Sequence, residues 1–179
     1  MKLPVMTIAV LMLLCVCTIS AQGPAAGQNP IAAGQKMLHS MIKTNIIRSA
    51  EKMPEEHFAF KPTPEVRSFG QLIGHVADSQ YLFCSAASGK PNPAPGIEKS
   101  KTTKADLVQA VKDAFAYCDA VYDGLTDAQA GAPVKFFGAD QAKVTVLAFN
   151  TAHNNEHYGN IVTYLRIKGL VPPSSEPRK

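Results

Sequence analysis

Four stretches of this chain repeat apolar side chains at i, i+3, i+4 and i+7, and no stretch alternates convincingly at period two. Such a pattern lays one apolar stripe along each of four helices, and striped helices bury their stripes against one another. The fold class it dictates is all-α: a four-helix bundle over residues 34–173. The first helix runs from about Gly34 to Met53, with Leu38, Met41, Ile42, Asn45, Ile46 and Ser49 on its inward face. Pro54 ends it, because the residue before a proline disfavours the α region. Ser68 caps the second helix, and Gln71 completes a capping box. On that helix Leu72, His75, Val76, Ser79, Leu82, Phe83 and Ala86 share a face. The third runs from about Thr103 to Leu125, with Leu107, Val111, Ala114, Phe115, Cys118, Val121 and Tyr122 inward. The fourth starts near Ala142–Val144 and stops at Lys168-Gly169, a C-terminal glycine followed by Pro172-Pro173. The apolar piece "VKFF" before it reads as a short strand or a flap packed on the bundle.

The connection "SGKPNPAPGIEKSKT" between the second and third helices is longer than the 2–8 residues usual between antiparallel neighbours. It reads as a long crossover loop, which makes those two helices parallel. Cys84 and Cys118 then lie at matching heights, each roughly 21–23 Å from its own helix start. A Cys84–Cys118 disulfide is the expectation from this topology, with two buried free thiols as the alternative.

The segment before the bundle divides in two. Lys2, the apolar run "VMTIAVLMLLCVC" and the small residues "TISAQ" match a secretory signal peptide over residues 1–21, with an uncleaved membrane anchor as the alternative. Residues 22–33 read as a flexible leader and residues 174–179 as a C-terminal tail. Cleavage places the protein in the periplasm or outside the cell, without stable membrane contact. The formal charge of +4 is scattered, with no Lys/Arg run, and argues against a nucleic-acid partner.

"TAHNNEHYGNIVTYLRIKG" puts His153 and His157 one turn apart on one side of the fourth helix. Val146, Phe149, Asn150, Ile161 and Tyr164 continue the same line toward the interior. An inward imidazole presents a bare lone pair as well as an N–H, and a divalent ion uses such lone pairs at about 2.0–2.1 Å. His75 on the second helix also points inward and supplies a third donor. From the residues alone, hydrogen-bonded core histidines remain the alternative. His57 lies in a Pro-rich loop, and His39 at the edge of the first stripe. Glu156 precedes His157 directly, so it points about 100° away from the ligand line and does not form the metalloprotease motif.

Three stretches resemble the DinB/YfiT-like superfamily of metalloenzymes: "AEKMPEEHFAFKPTPEVRSFGQLIGHVADSQ", "TKADLVQAV" and "HNNEHYGNIVTYLRIKGLVPPSS". The resemblance implies a divalent metal, most often nickel or zinc, held by one histidine of the second helix and an HxxxH pair of the fourth. Here these are His75, His153 and His157. It implies either a thiol S-transferase-like or a hydrolase-like reaction on an unknown small-molecule substrate. The export signal departs from relatives that use cytoplasmic thiols. A non-catalytic exported metal-binding or structural bundle is the second reading. Catalytic residues are not identified at this level; Asn45, Asp78, Ser79, Asn154 and Tyr158 are the polar side chains near the ligand lines. A homodimer is one assembly open to such a chain.

Overall fold

The first helix begins at Pro30, earlier than its apolar repeat marks, because its first turn is capped from a distance. A computed structural model describes residues 29–177. In it the Asp127 carboxylate accepts the N–H groups of Ile31 at 3.1 Å and Ala32 at 2.8 Å. A helix start leaves such donors without an intrahelical partner. Asn29 reciprocates by accepting the Asp127 N–H at 2.8 Å. Pro30 suits the first helical position, where its missing N–H has nothing to bond. Residues 30–33 are therefore helix. The proposed signal peptide lies outside the described residues.

The elements follow as α1 (Pro30–Lys52), α2 (Phe69–Ser88), a short α3 (Ile97–Ser100), α4 (Lys104–Asp123), a short α5 (Asp127–Ala130), a hairpin of β1 (Pro133–Phe136) and β2 (Ala139–Ala142), and α6 (Lys143–Ile167). Single 3₁₀ turns occupy Glu55–His57 and Pro173–Ser175. The four long helices form the expected all-α bundle. The hairpin realises "VKFF" as a strand, paired antiparallel with Phe136 opposite Ala139.

Pairings along the helices fix their directions. Lys36, Lys43 and Glu51 on α1 meet Asp123, Asp119 and Lys112 on α4, so these two are antiparallel. Gly70 and Gly74 on α2 lie against Leu107, and Cys84 is bonded to Cys118, so α2 and α4 run parallel. The crossover between them is the long connection, which carries α3. The Cα atoms of Cys84 and Cys118 are 5.4 Å apart and the bond is formed. Their matched heights made this pairing legible.

The α2 capping box is present, with Ser68 and Gln71 bonded reciprocally. Thr103 caps α4 through the Asp106 N–H. Gly169 follows α6 at φ 71°, a left-handed conformation that glycine adopts without a Cβ penalty. α2 is buried around most of its circumference and forms the centre of the bundle.

The buried faces differ from the expected ones in two places. On α1 the buried line is Ala32, His39, Ile42, Ile46, Ser49 and Ala50. Leu38 and Met41 are exposed, and His39 is interior rather than marginal. The apolar side chains on that helix outnumber the places on one face, so periodicity alone chose the wrong edge. Leu82 and Phe149 are likewise exposed. Ser174 and Glu176 of the C-terminal segment contact the bundle. Ser174 bonds Tyr158, and Glu176 pairs with Arg48 and Lys52.

Candidate metal centre

α2 and α6 are antiparallel, and their facing surfaces are polar over two turns. Gln80 donates to Asn154 Oδ1 at 2.6 Å, and Asn150 donates to Gln80 Oε1 at 3.0 Å. Tyr122 donates to the Leu147 carbonyl at 2.7 Å. These side chains are buried, and their bonds fix the height of α6 against α2 in a way that apolar contacts alone do not. One turn further along, the same register brings His75 opposite His153 and His157.

The three imidazoles converge. Nε2 of His153 lies 3.3 Å from Nε2 of His75 and 3.0 Å from Nε2 of His157. Among the described residues they are the one group of three or more such donors close enough to share an ion, all within 4.8 Å of one another. Ligands at about 2.0–2.1 Å in tetrahedral disposition stand about 3.3 Å apart, so the spacing fits a single ion. Burial, the neighbouring imidazoles and Arg67 push His153 down to about 4. Burial and His75 push His157 down to about 4. His75 is lowered as well, chiefly by burial and by Arg67. All three are neutral at pH 7. Neutral imidazoles can turn either a lone pair or an N–H inward, and three inward lone pairs at this spacing repel unless a cation lies among them.

The other side of His75 shows what holds it. Its Nδ1 lies 3.3 Å from Glu98 Oε2. The second Glu98 oxygen accepts from Arg67 Nε at 2.9 Å. A proton on Nδ1 facing this carboxylate leaves the lone pair on Nε2, directed at the other two histidines. Glu98 reaches this place because α3 packs tightly on α2. A Cβ added at Gly74 would stand 2.8 Å from the Glu98 Cα, so only glycine permits the approach. Asp78 secures the segment by accepting the N–H groups of Ile97 at 2.7 Å and Glu98 at 2.9 Å. The Nδ1 atoms of His153 and His157 are buried without a hydrogen-bond partner.

A cleft of about 680 Å³ opens beside His157. Glu65, Arg67, Glu98, Glu156, Asn160 and Thr163 supply its polar lining. His153 faces a different surface, with the Phe83 ring edge-on at 5.2 Å.

The polar residues named from sequence fall into different roles. Asp78 anchors α3. Asn154 belongs to the layer below the histidines, and Tyr158 holds the C-terminal segment. Ser79 is buried on α2. Asn45 lies on the outer side of α1 beside Met37 and Met41, away from the triad. Glu98 and Arg67 were not singled out. Both sit in connections without periodicity; the one available signal was that the crossover must pass the end of α2 that carries His75.

The family model described as the DinB superfamily matches residues 43–161. The uncharacterised protein YjoA of Bacillus subtilis is 27% identical over 141 residues, covering 76% of this chain and 91% of that protein. The crystal structure of a DinB-like protein from Bacillus cereus superposes with a TM-score of 0.70 at 17% identity, covering 79% of this chain and 95% of that one. The crystal structure of YjoA superposes with a TM-score of 0.64 at 24% identity, over 84% and 100% of the two chains. At these identities the structural matches establish the shared fold.

Proposed function

The chain belongs to the DinB superfamily, and from that premise we propose that it is an exported, divalent-metal-dependent enzyme with His75, His153 and His157 as ligands and zinc or nickel as the metal. The observation that carries this is the convergence of three imidazoles, neutral at pH 7, at 3.0 and 3.3 Å beside an open cleft. Among the described residues the group contains three protein donors and no fourth. Structural zinc sites are closed by four protein ligands, whereas catalytic ones keep a position for substrate or water. A bound divalent ion supplies Lewis acidity to a thiol, water or carbonyl group of the substrate.

The protein's own residues orient and select. Glu98 sets the His75 ring, and Arg67 sets Glu98. The reaction class is thiol S-transfer or hydrolysis on a small molecule that takes the position the three histidines leave open. The Cys84–Cys118 bond supports export, because such bonds persist mainly in oxidising compartments. The test is metal analysis of untagged protein, followed by a screen of thiol and ester substrates with the metal-loaded form. One equivalent of zinc or nickel with turnover supports the enzyme. One equivalent without turnover on either class supports the metal-binding bundle instead, and no stoichiometric metal overturns both.

A further inference from the structure

The turn of the hairpin is built from an unusual residue. Phe136 pairs with Ala139, so Phe137 and Gly138 alone make the connection. Both have positive φ, 48° at Phe137 and 81° at Gly138. Two-residue turns of this kind favour Asn-Gly or Gly-Gly, because a Cβ is disfavoured in the left-handed region. A phenylalanine there is rare. Burial does not compensate it, since Phe137 is 71% exposed. Strained backbone that displays a side chain points to a use for that side chain.

The ring is the outer member of an aromatic series that reaches the triad at His153. Phe137 lies 6.0 Å from Phe149 and 6.3 Å from Phe83, centroid to centroid. Phe83 meets His153 edge-on at 5.2 Å, and Phe149 is stacked with His153 at 6.4 Å. Phe136 fills the space between, 4.2 Å from Phe137. Phe149 and Leu82 are themselves exposed. The hairpin thus extends an apolar wall outward from one histidine of the triad, while His157 borders the polar cleft.

We infer that this wall binds the apolar, aryl-type portion of the ligand that the triad holds, with Phe137 as its specificity-determining residue. The inference rests on the metal reading of the triad. Continuity of the rings with His153 favours the triad's own ligand over a second copy or a lipid surface. Either of those would use Phe137 without reference to the histidines.

Two chelators that share one metal-binding group test it: acetohydroxamate and phenylacetohydroxamate, titrated into the zinc-loaded protein. The phenyl compound should bind about ten-fold more tightly, the scale of burying part of an aromatic ring. In Phe137→Asn the difference should shrink to within about two-fold, with acetohydroxamate affinity unchanged. The same variant should melt at the same temperature or about 2 °C higher, since Asn-Gly suits the turn. Phe137→Tyr should keep the preference. A phenyl preference that survives in Phe137→Asn overturns the inference. So does a drop in melting temperature with loss of both affinities, which would make Phe137 structural. Loss in that variant of a dimer seen by sedimentation velocity, or of binding to phosphatidylcholine vesicles, with the phenyl preference intact, assigns the wall to those occupants and overturns it too. If neither chelator binds the wild type, the metal reading itself fails.

Discussion

His39, which is buried, and the His75–His153–His157 group, of which two rings are half-buried, are two regions of inward histidine in one bundle. Burial pushes His39 down to about 4, as it does His153 and His157. By that measure the regions are alike. Their surroundings differ. His39 is stacked on Tyr122 at 4.0 Å, with Phe115 close by. Asp119 stands at its edge, at 3.3 Å, and is also bonded to Lys43. Among the described residues no second imidazole joins His39 in a group of possible ligands. The triad histidines face one another, one of them, His157, borders a cleft, and His75 has its ring set by a carboxylate. A depressed pKa therefore reports burial, whereas three ring nitrogens within 4.8 Å of one another mark a candidate site.

The largest expected effect separates the regions outright. His157→Ala should lower metal affinity by more than about 100-fold, beyond what outer-shell changes produce. His39→Phe and His57→Ala should leave metal content unchanged. Metal content that falls equally in His39→Phe would erase the distinction. The next effect concerns the disulfide, on the His39 side of the bundle. The double change Cys84→Ala, Cys118→Ala releases a loop with a sequence separation of 34. It should cost about 3–4 kcal/mol in chemical denaturation while metal stoichiometry stays at the wild-type value.

Acid should act through His39 with or without metal. Its folded pKa is below the ordinary histidine value of 6.5, so the unfolded chain takes up the proton first. Its contribution to stability is complete above pH 6.5 and is lost as pH falls toward about 4, a change on the order of 3 kcal/mol. His39→Phe should flatten that part of the stability curve, since the substitution removes the group that takes up the proton. An unchanged acid limb in metal-free His39→Phe would show that the triad carries the whole effect. The smallest effect is at Glu98. Glu98→Gln should weaken metal binding about ten-fold, and Gly74→Ala should do the same by displacing α3. Full affinity in both would remove Glu98 from the account.

The long helices, the parallel α2 and α4, the disulfide and the three converging histidines were legible because each follows from spacing along a helix. The apolar surplus on α1 was not, since Leu38 and Met41 fit the repeat as well as His39 does. The Asp127 cap on α1 joins residues about 95 positions apart, and no local pattern announces it. Glu98 and Arg67 were hidden for a related reason. Their place depends on how a proline-rich crossover settles on Gly74, a tertiary contact between segments without period. The hairpin was half visible: "VKFF" suggested a strand, but the left-handed Phe137 contradicts the residue preference that marks such turns.

The central claim is that one ion is shared by three imidazole nitrogens from two helices. Crystals of untagged, zinc-loaded protein, measured across the metal absorption edge, test it most directly. The account predicts a single strong anomalous peak about 2.0–2.1 Å from Nε2 of each of His75, His153 and His157. A peak elsewhere on the chain, or none at the triad in protein carrying one equivalent of zinc, would contradict it.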